Sequence, residues 1–160
     1  DIDSLDKLNE VNCPNQSLVI EKVNPPDIEL NKFFYKNIGK KHRWIDRLAW
    51  DNLKWTSYLD NSNVNTYVLK LEEDLVGYFE TVKNKSNNSL EIAYFGILDD
   101  YIGKKFGGYL LSEAIKTSFK LKFNRVWVHT CTLDHKNALN NYLKRGFKIF
   151  KQEIINLNLD

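Results

Sequence analysis

The segment of this chain with the most evident chemistry is Asp99-Asp100-Tyr101-Ile102-Gly103-Lys104-Lys105-Phe106-Gly107-Gly108-Tyr109-Leu110-Leu111. It follows an apolar run at 90–98. It leads into 106–121, where Leu110, Leu111, Ala114, Ile115 and Ser118 recur with one-sided helical spacing. A strand that enters a glycine turn and then a helix outlines an anion site. The first N–H groups of a helix have no partner within it, and the helix dipole adds positive charge there. Glycine lets a phosphate approach the backbone with no Cβ in the way. Lys104 and Lys105 add charge. A plainer reading also holds: Gly103 turns the chain, and Gly107 and Gly108 let a helix pack closely. The spacing is neither that of a Walker loop nor Gly-x-Gly-x-x-Gly.

Other residues invite chemistry less strongly. His129 and Cys131 stand two apart on one strand face, as a metal or nucleophile pair would. A zinc site needs four ligands at suitable spacing, and His42 and His135 supply none, so no metal is expected. Trp44, Trp50, Trp55 and Tyr58 read chiefly as core, with the option of an aromatic wall. Arg43, Asp46 and Arg47 read as a solvated face rather than a site.

The elements that would position these residues follow from periodicity and turn chemistry. Residues 17–23 read as a strand ended by Pro25-Pro26, and 28–37 as a helix. A second helix is expected over 50–59. Strands at 64–71 and 75–82 flank the polar turn Glu72-Glu73-Asp74, and 90–98 is the most apolar strand. A helix at 106–121 and a strand at 125–131 follow. Asp134 caps a helix over 135–144, which Gly146 ends with Phe147 as its apolar partner. A last strand is expected over 147–157. This order predicts a mixed α/β sheet with antiparallel and parallel parts.

Composition bounds the rest. The 160 residues suit one domain and are 42% hydrophobic and 28% charged. Twenty-three basic and 21 acidic residues leave a net charge of +2, which makes no case for nucleic-acid or membrane binding. No apolar run approaches the roughly 20 residues of a membrane span. Two cysteines and the polar opening Asp1-Ile2-Asp3-Ser4 favour a reducing cytoplasm. Residues 1–16 read as a flexible arm and 17–160 as the domain.

Two segments resemble the GNAT superfamily of N-acetyltransferases. Tyr94-Phe95-Gly96-Ile97-Leu98 with the loop from Ile102 to Gly108 looks like that family's acetyl-CoA-binding segment. His135-Lys136-Asn137-Ala138, then Tyr142 and Gly146-Phe147, looks like its second signature. The resemblance covers roughly 64–150. Three positions depart from the pattern: Ile102 where Arg or Gln is usual, Lys105 where the first Gly is usual, and His135 where Asn is usual. Gly107 matches strictly. The implied fold is a mostly antiparallel twisted sheet of six to seven strands with about four helices and a splayed central parallel pair. The implied ligand is acetyl-CoA. Its diphosphate would lie on Ile102, Gly103, Lys104, Lys105, Phe106, Gly107 and Gly108, and its pantetheine arm along Phe95, Ile97 and Leu98, with His135 nearby.

The activity so implied is transfer of an acetyl group to a primary amine, with the acceptor expected to be a small molecule. An alkylamine with a pKa of roughly 10.4 is neutral in only about one molecule in a few thousand at pH 7, so a base must take its proton. The resemblance points to Glu91 as that base, with Glu80 as the second candidate or a cation anchor. It makes Tyr142 the acid for the leaving sulfur. The alternatives are a non-catalytic acyl-CoA-binding module and an acetyltransferase of protein N-termini or lysines. A monomer or a homodimer is expected.

Overall fold

A computed structural model describes residues 1–42, 44–128 and 136–148. Their elements run β1 (Leu18–Lys22), α1 (Ile28–His42), α2 (Asn52–Leu59), β2 (Val64–Leu71), β3 (Asp74–Asn84), β4 (Ser89–Ile97), α3 (Phe106–Lys120), β5 (Arg125–Val128) and α4 (Lys136–Arg145). The five strands form one sheet in the order β1-β2-β3-β4-β5. Every neighbouring pair is antiparallel except β4 and β5, which are parallel from Ser89 opposite Arg125 to Ile92 opposite Val128. The mixed sheet and four helices match the expected architecture. The expected six to seven strands reduce to five among the described residues. The closing strand beyond Lys148, the splay of the parallel pair past Val128, and His129, Cys131, Asp134 and His135 lie outside them.

Local chemistry sets the boundaries. Asp27 accepts from the Leu30 N–H at 3.0 Å and Asp51 from the Lys54 N–H at 2.8 Å, each satisfying an orphan donor at a helix start. Gly146, at φ +110°, ends α4 in a Schellman motif. Its N–H reaches the Leu143 carbonyl at 3.1 Å, and the Phe147 N–H reaches Tyr142 at 3.0 Å.

The sheet is covered on both faces. α3 and α4 bury Phe106, Leu110, Leu111, Ala114, Ile115 and Tyr142 against Leu69, Phe79, Ile92, Phe95 and Val126. α1 and α2 cover the other face with Phe34, Tyr35, Ile38, Trp55 and Leu59. Gly96 lets α1 approach, because a Cβ there would collide with the Ile38 side chain.

The first residues do not hang free as an arm. Ile2 is 2% exposed and exchanges two 2.8 Å backbone bonds with Val126. The Val11 N–H bonds Ser112 Oγ at 2.9 Å, and Asn9 bonds the carbonyls of Lys144 and Arg145. The polar composition of this segment concealed Ile2 and Val11, whose burial offsets the entropy of ordering it. Among the described residues no helix is long and apolar enough to cross a membrane.

Candidate active site

β4 organises the site. Its register against β3 jumps between Glu80 opposite Tyr94 and Thr81 opposite Ile92, so Ala93 is the extra residue of a bulge. The bulge resets which face each side chain takes. Ile92, Phe95 and Ile97 meet the α3 side, whereas Tyr94 meets α1. Alternation puts Glu91 on the α1 and α2 face, between Val82 of β3 and Trp127 of β5. Glu80 lies on that face two residues before Val82. The two candidate carboxylates therefore share one side of the sheet.

Their surroundings differ. Glu91 is half-buried, and its neighbour Val82 belongs to the aromatic cluster of Tyr35 and Trp55. Glu80 is 1% exposed, and both of its oxygens are engaged. Arg47 Nη1 and Nη2 donate at 2.8 and 2.7 Å, and the Tyr58 hydroxyl donates at 2.8 Å. The Arg47 guanidinium is enclosed by rings: Tyr94, Tyr58, Trp50, Trp55 and Tyr35 have centroids 4.2 to 6.0 Å from its carbon. Burial opposes its charge, but the Glu80 carboxylate more than offsets this and holds its pKa above the ordinary value. Burial and the adjacent Glu80 charge push the Tyr58 phenol up. Burial likewise raises Tyr94.

This box corrects the reading of Arg47 as a solvated residue: it is 6% exposed. Its position in a segment carrying Trp44, Trp50, Trp55 and Tyr58 was the available signal, since a cation among rings has somewhere to be buried. The tryptophans do form core, with Trp55 buried and Trp44 packed on Tyr94 at 4.8 Å.

The glycine segment turns as its composition demands. Leu98 donates its N–H to Val76 of β3 at 2.8 Å. N–H direction alternates along a strand, so those of Ile97 and Phe95 point to the opposite side. A 3-10 turn at Asp99–Tyr101 follows, then Gly103 at φ +86° and Lys105 at φ +68°, both left-handed. Lys105 is the N-cap of α3 and gives it no side-chain bond. Among the described residues, the N–H groups of 103–108 donate to no carbonyl or side chain. Gly103 has nothing within 4 Å of a Cβ position, and at Gly107 the nearest atoms are 3.7 Å away. The segment is an open row of donors at a helix N-terminus, which suits a diphosphate.

Tyr142 is 8% exposed, between Phe95 and Phe147 with ring centroids 6.2 and 5.8 Å away. It lies on the α3 and α4 side of β4, across the sheet from Glu80. Asn141 Nδ2 donates to the Gly107 carbonyl at 3.3 Å, which ties α4 to the loop. An open groove of about 540 Å³ runs past Phe33, Glu73, Asp74, Leu98, Asp99 and Tyr101. Neither carboxylate candidate nor Tyr142 lines it. Among the described residues no cluster of three or more His, Cys, Asp or Glu could hold a metal ion.

A mixed sheet with a bulged β4, followed by a donor-lined turn into a helix, is the architecture that the resemblance to acetyltransferases implies. Residues 28–147 match the acetyltransferase (GNAT) family, and the chain belongs to it as an acyltransferase. No protein of curated function matches the sequence. Among solved structures, the aminoglycoside acetyltransferase meta-AAC0020 from an uncultured soil metagenomic sample, in complex with trehalose, superposes with a TM-score of 0.72. The identity is 16%, over 91% of this chain and 99% of that one. AAC(6')-Iy, in complex with a bisubstrate analogue of CoA and acetylneamine, gives 0.67 at 9% identity, over 88% and 97%. A ribosomal-protein-alanine N-acetyltransferase from Brucella melitensis gives 0.68 at 9% identity, over 88% and 99%. The family uses acetyl-CoA.

Proposed function

We propose that the protein transfers an acetyl group from acetyl-CoA to a primary amine of a small molecule by direct attack on the thioester. The observation that carries this reading is the row of N–H groups over 103–108 that have no partner among the described residues, between the end of β4 and the start of α3. These donors would hold the diphosphate, with Lys104 and Lys105 adding charge and Phe95, Ile97 and Leu98 flanking the arm. When bound, acetyl-CoA supplies an activated acyl group and a thiolate leaving group.

Glu91 takes the proton that the amine loses as its N–C bond forms. Its half-buried position next to Val82 would let it work from the α1–α2 face of β4, while Tyr142 lies on the α3–α4 face. Tyr142 gives a proton to the sulfur as the C–S bond breaks. The N–H of Phe95 or Ile97, directed away from β3, is a donor for the thioester oxygen as charge develops on it. Glu80 is assigned a positioning role, since Arg47 and Tyr58 engage both its oxygens. The similar meta-AAC0020 is an aminoglycoside acetyltransferase, and AAC(6')-Iy is bound to a bisubstrate analogue of CoA and acetylneamine, which supports a small amine-bearing acceptor.

Calorimetry with coenzyme A and thiol release across an amine panel test the reading. Coenzyme A binds, and Glu91→Gln lowers kcat about a hundredfold without changing coenzyme A affinity. Absence of coenzyme A binding to folded protein overturns the reading. Binding without thiol release on a broad panel leaves the acyl-CoA-binding module in its place.

A further inference from the structure

Arg145, the last residue of α4, packs its guanidinium against the first turn of α3. Nη1 lies so near Gly108 that a Cβ there would collide with it, and Val11 Cγ2 closes the same space at 2.8 Å. Its Nε is shielded from solvent and has no hydrogen-bond partner among the described residues. Among the described residues no carboxylate forms an ion pair with it. Of the four acidic groups of the docked N-terminal segment, Glu10 pairs with Lys116, Asp3 with Lys7 and Asp1 with Arg125, and among the described residues no ion pair joins the fourth, Asp6, to Arg145. Burial alone lowers its pKa, with no charge offsetting it. A half-buried guanidinium of this kind is costly unless something anionic meets it.

The backbone around it is arranged to keep it there. Asn9 bonds the Arg145 carbonyl at 3.0 Å, and the Schellman turn at Gly146 fixes where α4 stops. Asn141, one turn earlier, bonds Gly107. The Arg145 guanidinium therefore stands against Gly108, the last residue of the run 103–108 whose N–H groups have no partner among the described residues.

On the acetyl-CoA reading above, on which this inference rests, we propose that Arg145 is a phosphate-binding residue for acyl-CoA. It recruits either the 3′-phosphate of the adenosine or the diphosphate at the α3 N-terminus. A guanidinium meets phosphate oxygens with two parallel donors, which a lysine cannot reproduce. Gly108 is then required as glycine because the guanidinium uses the space its side chain would fill.

Calorimetry with coenzyme A and with dephospho-coenzyme A tests this without an acceptor. Arg145→Gln weakens coenzyme A binding about tenfold, and the deficit shrinks as salt rises. If the 3′-phosphate is the partner, dephospho-coenzyme A binds wild type and Arg145→Gln alike. If the diphosphate is the partner, both ligands lose equally. Arg145→Lys retains part of the affinity. Equal binding of both ligands to wild type and Arg145→Gln overturns the inference. So does a deficit that persists unchanged in 1 M salt with a lowered Tm, which marks a packing role. Failure of wild type to bind either ligand is a separate result and removes the acetyl-CoA reading itself.

Discussion

Around Glu80, on the face covered by α1 and α2, each charge touches its counter-charge: Arg47 grips both carboxylate oxygens, Tyr58 adds a third bond, and five rings close over the guanidinium. Beyond the end of β4, at the start of α3, the inventory is reversed. Among the described residues the N–H groups of 103–108 have no acceptor, Arg145 Nε has no hydrogen-bond partner and no carboxylate pairs with Arg145. Burying polar groups is tolerated when they are paired and costly when they are not. The first region therefore spends its charges on holding the chain together, and the second holds donors for a ligand. This contrast separates two kinds of residue that sequence presents alike, because Arg47 and Arg145 are both single arginines beside aromatic residues.

The largest expected effect tests the closed region. Arg47→Ala leaves Glu80 buried without its cation, and the loss should be about 3–5 kcal/mol of stability by urea denaturation. Arg47→Met with Glu80→Leu together should recover most of it, since a well-packed apolar pair replaces a buried ion pair at little cost. Coenzyme A affinity of the folded Arg47→Met/Glu80→Leu protein should stay within about twofold of wild type, because the ion pair lies on the α1–α2 face of the sheet and the phosphate site lies beyond the end of β4 at the start of α3. A loss under about 1 kcal/mol for Arg47→Ala would break the comparison.

Alkali should open the same region next. Burial raises Tyr58, Tyr78 and Tyr94 above the ordinary phenol value, with the Glu80 charge adding to Tyr58 and Tyr78. In the unfolded chain these phenols titrate near 10. Below that pH both states hold the protons and the contribution is complete. Above it the unfolded state releases protons that the folded state retains, so stability falls as pH rises. Phenolate absorbance at 295 nm from these tyrosines should appear together with the loss of circular dichroism. Their titration in still-folded protein would show that the box is open to solvent.

Periodicity placed the elements well because each carries its own signal. The helix expected over 106–121 occurs as Phe106–Lys120, and the strand over 64–71 as Val64–Leu71. The glycine turn was equally legible, since Gly103 adopts the left-handed conformation that its type permits. The ion pair was not, because Arg47 and Glu80 are 33 residues apart and pairing at that range is decided by packing. Glu80 and Glu91 looked interchangeable as bases. Only the strand register revealed that one of them faces an arginine from the α1–α2 connection. The docking of residues 1–11 escaped for a related reason: Ile2 and Val11 are single apolar residues with no periodic pattern to announce a buried face.

The smallest effects sharpen the open region. Gly103→Ala imposes a side chain on a backbone at φ +86° with free space around it, so only conformational strain opposes it. The expected loss is about 1 kcal/mol. Gly107→Ala meets no atom closer than 3.7 Å and lies in α3, where alanine is favoured. Its stability should match or slightly exceed wild type. The two substitutions add the same methyl group four residues apart, one in the turn and one in the first turn of α3. A turn whose shape presents its amides to a phosphate should lose coenzyme A affinity with Gly103→Ala and keep it with Gly107→Ala, because only the first disturbs the direction of the N–H groups. Equal affinities for both variants would mean that the loop conformation is not what the ligand reads, and the contrast between the closed and the open region would then rest on Arg145 alone.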